Sequence, residues 1–111
     1  MLPTLLFNIQ TTMKKIVIAQ PSQRVDISSK EIYTHTFTAH NLSQNRVGVT
    51  KKTASCGCTA VDIPDTIQPL EIFEIKVSVN KLGSSGIYSV HLTLEFENES
   101  HTLRLSGNIL N

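Results

Sequence analysis

The sequence predicts an all-β chain folded as an antiparallel β-sandwich of about seven strands, on three observations. Beyond residue 30, apolar and polar side chains alternate with a period of two, the period of a half-buried strand. The alternating stretches recur at roughly ten-residue spacing, separated by clusters of Asn, Gly, Pro and Ser. No stretch of helical period is long enough to compete. With 111 residues, 40% of them hydrophobic and 17% charged, the chain forms one ordinary core; a disordered tail, a coiled coil and a collagen-like repeat are excluded.

In order, Thr4 to Ile9 and Lys14 to Ala19 read as extended, the second ending in a Gln20-Pro21-Ser22-Gln23 break. From Tyr33, the residues Tyr33, Phe37 and Ala39 share one face and Thr34, Thr36 and Thr38 the other; a threonine face is a solvated one. Asn41 to Asn45 is a turn cluster, and Arg46 to Lys52 resumes as a strand with Val47 and Val49 inward. Ala60 to Ile63 is brief, and Pro64-Asp65 turns the chain. The clearest strand, Glu71 to Asn80, points Phe73, Ile75, Val77 and Val79 inward. After the loop Lys81 to Gly86, the next strand turns Tyr88, Val90, Leu92, Leu94 and Phe96 inward, and a hairpin at Glu97 to Ser100 leads to Leu103, Leu105 and Ile109.

Residues 1–24 read as an extended N-terminal arm or first strand and residues 25–111 as the sandwich. The arm carries Leu2, Leu5, Leu6, Phe7 and Ile9. No basic region precedes these, and neither early apolar run reaches the ~7 to 15 residues of an export signal or the ~20 of a membrane span. The expectation is therefore residence in the cytoplasm of a bacterium or host, or in a virion, with no membrane partner. Met13 is a second candidate start. Net charge is +1, and Arg24, Arg46 and Arg104 lie far apart. Lys51-Lys52 is a lone basic pair within the domain, so no stripe suited to nucleic acid exists.

Both cysteines of the chain fall in Ser55-Cys56-Gly57-Cys58-Thr59. On extended backbone their side chains leave the same face, which sets two sulfurs side by side, and Gly57 permits a sharp bend or a close approach. One reading is a structural corner, its thiols free or joined in a local disulfide that adds little stability across so short a loop. The other is a thiol site: Cys56 and Cys58 could hold a soft ion such as Cu(I), with Lys51 and Lys52 favouring the thiolate, or undergo redox chemistry. A closed zinc site needs four ligands. His40 and His101 fall at turns, His91 on an outward face, and His35 beside Tyr33 and Phe37, so no histidine stands at ligand spacing from the cysteines. Enzymatic chemistry is not expected: there is no Gly-rich phosphate loop and no inward pair of carboxylates, and Asp62 and Asp65 flank Pro64 in a turn.

The series Tyr33-x-x-x-Phe37-x-x-x-Asn41, Val47 and Val49, Ser55-Cys56-Gly57-Cys58-Thr59, Ile67-x-Pro69-x-Glu71, Gly86 and Leu103-x-Leu105-x-Gly107 resembles a bacterial domain family of unknown function marked by an SCGCT segment. That family is common in Bacteroidetes and related to hydin-type immunoglobulin-like sandwiches. The resemblance spans about residues 25–111 and implies an immunoglobulin-like fold with no established enzyme activity. The chain departs from the family where Pro69-Leu70-Glu71 replaces its usual Pro-Gly-Glu turn, and in lacking the export or lipid-anchor signal typical of its members.

The function expected on these grounds is a non-enzymatic structural or assembly module. Its concrete form is an auxiliary, or decoration, subunit on the capsid of a bacteriophage virion or a similar assembly. Its partners are other protein subunits, possible capsid protein among them, reached through Leu5, Leu6, Phe7 and Ile9 adding a strand to a neighbour's sheet edge. The alternative is the Cu(I)-binding or redox module built on Cys56 and Cys58.

Overall fold

The computed structural model describes residues 15–111. In chain order the strands are β1 (Ile16–Ile18), β2 (Ser22–Arg24), β3 (Ile27–Ser28), β4 (Tyr33–Asn41), β5 (Val47–Ala54), β6 (Thr59–Asp62), β7 (Thr66–Ile67), β8 (Ile72–Val79), β9 (Gly86–Phe96) and β10 (Ser100–Leu110). They form two sheets packed face to face, one ordered β1-β4-β8-β6 and the other β2-β10-β9-β5-β7, with β3 also paired to β10. Every inward residue named above for β4, β8, β9 and β10 is at least half-buried, and Ile75, Val77, Val79, Val90, Leu92, Leu94, Leu103 and Leu105 are sealed completely. Each such side chain contributes about 1.5–3 kcal/mol, so these four strands carry the core.

The architecture refines the expectation in two respects. The described residues hold ten strand segments rather than about seven, because β2, β3 and β7 span only 2 or 3 residues, too few for any period to register. The sandwich is mixed rather than purely antiparallel: β2 and β3 run parallel to β10, with Ser22 opposite Arg104 and Ile27 opposite Ile109. Chain geometry explains this. β1 lies in the first sheet, and the bend at Gln20, with φ of 48°, carries the chain across to the edge of the second. β1 falls within the segment read as an extended arm or first strand. Ile16 and Ile18 are buried, and β1 pairs antiparallel with β4.

Glu99, in the turn between β9 and β10, holds β1 in place. Its carboxylate accepts the amide protons of Lys15 at 2.9 Å and Ile16 at 2.7 Å. Across from Ile16, at the same end of the β1–β4 pair, Asn41 is fully buried, where the sequence pattern placed a turn. Its amide donates to the carbonyls of Asn45 and Gln68, each at 3.0 Å, and its oxygen accepts from the Ser43 amide and hydroxyl. One side chain thus locks the turn after β4 to the turn before β8.

Candidate functional site

The cysteine corner is the crossing from one sheet to the other. β5 belongs to the sheet of β9, whereas β6 belongs to the sheet of β8. Ser55 and His91 exchange two hydrogen bonds at 2.9 and 3.0 Å, fastening the start of the corner to β9. The Asn80 amide donates to the Cys58 carbonyl at 2.8 Å, fastening its end to the end of β8. Between these anchors the Thr59 amide reaches back to the Cys56 carbonyl at 3.2 Å and closes a tight turn. In this turn the sulfurs of Cys56 and Cys58 are bonded to one another, and both residues are half-buried. The Cys58 amide also donates to the Cys56 sulfur at 3.1 Å.

Two expectations about the corner are refined. Gly57 has no positive φ, and a Cβ built on it would meet nothing within 4 Å, so neither a left-handed bend nor a close approach explains this glycine. The bonded sulfurs present no thiolate, so Cu(I) would require the reduced pair. Among the described residues no group of three or more His, Cys, Asp and Glu side chains gathers in a way that would hold a metal ion. Lys51 and Lys52 are exposed on β5, just beyond a bulge between Val49 and Lys51.

The histidines occupy other places. His40 lies in β4 rather than in a turn, and its Nε2–H donates to the Leu70 carbonyl at 3.1 Å. His101 lies in β10, edge-on to Phe96 and 3.4 Å from the Glu99 carboxylate. His91 is exposed on β9. His35 stands between Tyr33, which hydrogen-bonds its Nδ1 at 2.9 Å, and Phe37, whose ring meets it edge-on at 4.7 Å. Burial pushes its imidazole below the ordinary range.

A second feature lies on the outer face of the first sheet. Cross-strand register places Val17 beside His40 and His40 beside Ile72, and residues directly opposite one another share a face. Leu42 follows β4, its amide bonded to the Lys15 carbonyl, and Leu70 is the residue whose carbonyl His40 binds. Val17, Leu42, Leu70 and Ile72 are each 48–66% exposed, making an apolar patch around His40. The sequence pattern did not single it out, although the outward position of Ile72 follows from the inward one of Phe73. β1 is an edge strand of this sheet among the described residues. Lys15 and Ala19 bond to β4, so by the antiparallel alternation the amide groups of Ile16 and Ile18 point away from it. Leu5, Leu6, Phe7 and Ile9 lie outside the described residues.

A family model described as a protein of unknown function, DUF1573, matches residues 11–109. The chain belongs to this family. No curated protein matches it. Among solved structures, the VesB protease of Vibrio cholerae is 18% identical with a TM-score of 0.61, over 95% of this chain and 34% of the protease. A protein of unknown function from Porphyromonas gingivalis has a TM-score of 0.72 at 6% identity, over 88% of this chain and 50% of that one. The ASH/PapD-like domain 7 of human CEP192 has a TM-score of 0.64 at 14% identity, over 90% of this chain and 92% of that domain. The chain thus spans about a third of the protease and half of the P. gingivalis protein, and at these identities the likeness is one of fold. This DUF1573 domain is an immunoglobulin-like β-sandwich, as the residue series in the sequence implied.

Proposed function

We propose that this domain is a non-enzymatic assembly module, in which Leu5, Leu6, Phe7 and Ile9 of one subunit seat on the β1 edge and apolar patch of a neighbouring copy. The patch of Val17, Leu42, Leu70 and Ile72 carries the reading, because it lies beside an edge strand whose Ile18 amide points outward, the Ile16 amide being held by Glu99. The Ile18 amide offers main-chain pairing and the patch offers pockets for alternate side chains, which are the two requirements of strand addition. The occupant is argued from where the remaining chain leads: the 14 residues preceding Lys15 enter the fold next to Leu42, and their apolar residues match the patch in character. The CEP192 domain, matched over almost its whole length, supports the view that such a sandwich stands as a unit on its own. The narrower idea of a bacteriophage capsid decoration subunit draws nothing from the family or the neighbours, and only its general part, assembly with other subunits, is carried forward.

Native mass spectrometry tests this on the full chain, on a chain lacking residues 1–12, and on Ile72→Asp, whose exposed position spares the fold. Oligomers formed by the full chain and lost in both variants are the expected result. A monomeric full chain, or oligomers indifferent to both changes, would overturn it.

A further inference from the structure

We propose that the Cys56–Cys58 corner is a thiol–disulfide exchange site that accepts the thiols of an extended peptide and is attacked at Cys58. This inference is independent of the assembly reading. An open groove of about 500 Å³ runs along the corner, lined by Ile32, Cys58, Thr59, Ser78 and Asn80 but not by Cys56. Ile32 is 52% exposed there and offers an apolar contact. β6 begins at Thr59, directly after Cys58, and is an edge strand among the described residues. A peptide pairing along that edge brings its own side chains to the Cys58 sulfur.

The polarity of the bond follows from the hydrogen bond within the turn. The Cys58 amide donates to the Cys56 sulfur at 3.1 Å, and a donor aimed at sulfur favours its thiolate form, the form a leaving group must take. A peptide thiolate approaching from the groove bonds to the Cys58 sulfur, the bond between Cys58 and Cys56 breaks, and its electron pair leaves on Cys56. A second thiolate of the same peptide then attacks the peptide sulfur of the mixed disulfide and expels Cys58 as thiolate. The two protons lost by the peptide thiols are taken up by Cys56 and Cys58. The peptide dithiol is oxidised to a disulfide and the corner is reduced.

The fold is built to survive this cycle. Ser55 is fastened to β9 and Cys58 to Asn80 through hydrogen bonds that do not involve sulfur. The covalent bond spans a sequence separation of 2, so it restrains the unfolded chain little and its loss removes little stability.

The test uses reduced glutathione as the attacking thiol, with the full oxidised chain and an acid quench followed by peptide mass mapping. The glutathione adduct is expected on Cys58 with Cys56 free. An adduct on Cys56 alone, or no opening in the folded protein, overturns the proposal. In the reduced protein, a brief pulse of iodoacetamide at neutral pH should modify Cys56 on the order of tenfold faster than Cys58, as the better-stabilised thiolate. Equal rates overturn the assigned polarity. A thermal melt of the reduced protein should show the fold intact, and unfolding on reduction would make the bond purely structural and end the proposal.

Discussion

Gly107 lies against the backbone carbonyl of Val25 so closely that a Cβ on Gly107 would overlap both the carbonyl carbon and its oxygen. The same carbonyl accepts the Tyr88 hydroxyl proton, and the Asn108 amide donates to the Asp26 carboxylate at 2.8 Å. Three neighbouring interactions therefore dock the stretch between β2 and β3 onto β10 and β9. The Cβ of Gly107→Ala would meet first the Val25 backbone, which cannot swing aside as a side chain can, and beside it the Asp26 carboxylate. It should cost about 1–3 kcal/mol, read from the urea midpoint at unchanged slope. Tyr88→Phe should cost about 1 kcal/mol, and the double variant less than the sum, because both act on one carbonyl.

Leu70 is a non-glycine residue with φ of 61°, and it occupies the position where the family resemblance implies glycine. The Glu71 amide donates to the Gln68 carbonyl at 3.2 Å, with Pro69 at the second position of the turn, the sequence arrangement of a type II turn that favours glycine third. A side chain in this region costs about 1–2 kcal/mol, against about 0.5–1 kcal/mol for glycine's extra freedom when unfolded. Leu70→Gly should therefore raise the melting temperature by a few degrees. A lower melting temperature would mean that Leu70 packs in a way its 57% exposure does not suggest.

Asn41 joins two turns from a fully buried position. Asn41→Ala takes the acceptor from the buried Ser43 amide and one donor each from the Asn45 and Gln68 carbonyls, which keep the Ser43 hydroxyl and the Glu71 amide. A loss of about 1–3 kcal/mol is expected, the cost of leaving the buried Ser43 amide without its acceptor. Amide exchange should quicken first at Leu70, whose N–H bonds the Ser43 carbonyl.

His35 ties stability to pH. Burial lowers its folded pKa below the unfolded value of about 6.5, so the folded state binds fewer protons. Its contribution is complete above about pH 6.5 and is lost as pH falls toward the folded pKa. Urea midpoints of the parent should decline across this window, and His35→Gln should flatten that decline. An equal decline in the variant would place the effect on another group.

The alternation of Phe73 to Val79, Tyr88 to Phe96 and Leu103 to Ile109 determined the strands, their inward faces and the β-sandwich class from sequence alone, because a period of two is a local property of each stretch. The residue series from Tyr33 to Gly107 likewise pointed to a bacterial family of unknown function. Tertiary structure decided everything that depends on which strands meet. The parallel docking of β2 and β3 on β10 turns on contacts some 80 residues apart in sequence, of which Asn108 to Asp26 is one. The burial of Asn41 and Ile16 needs both β1 and the turn before β8 in place. The patch around His40 exists because register aligns Val17, His40 and Ile72 across three strands, and no single strand encodes register. The cysteine spacing set two sulfurs near each other, but the turn between two sheets decided that they bond and that Cys58 rather than Cys56 lines the groove.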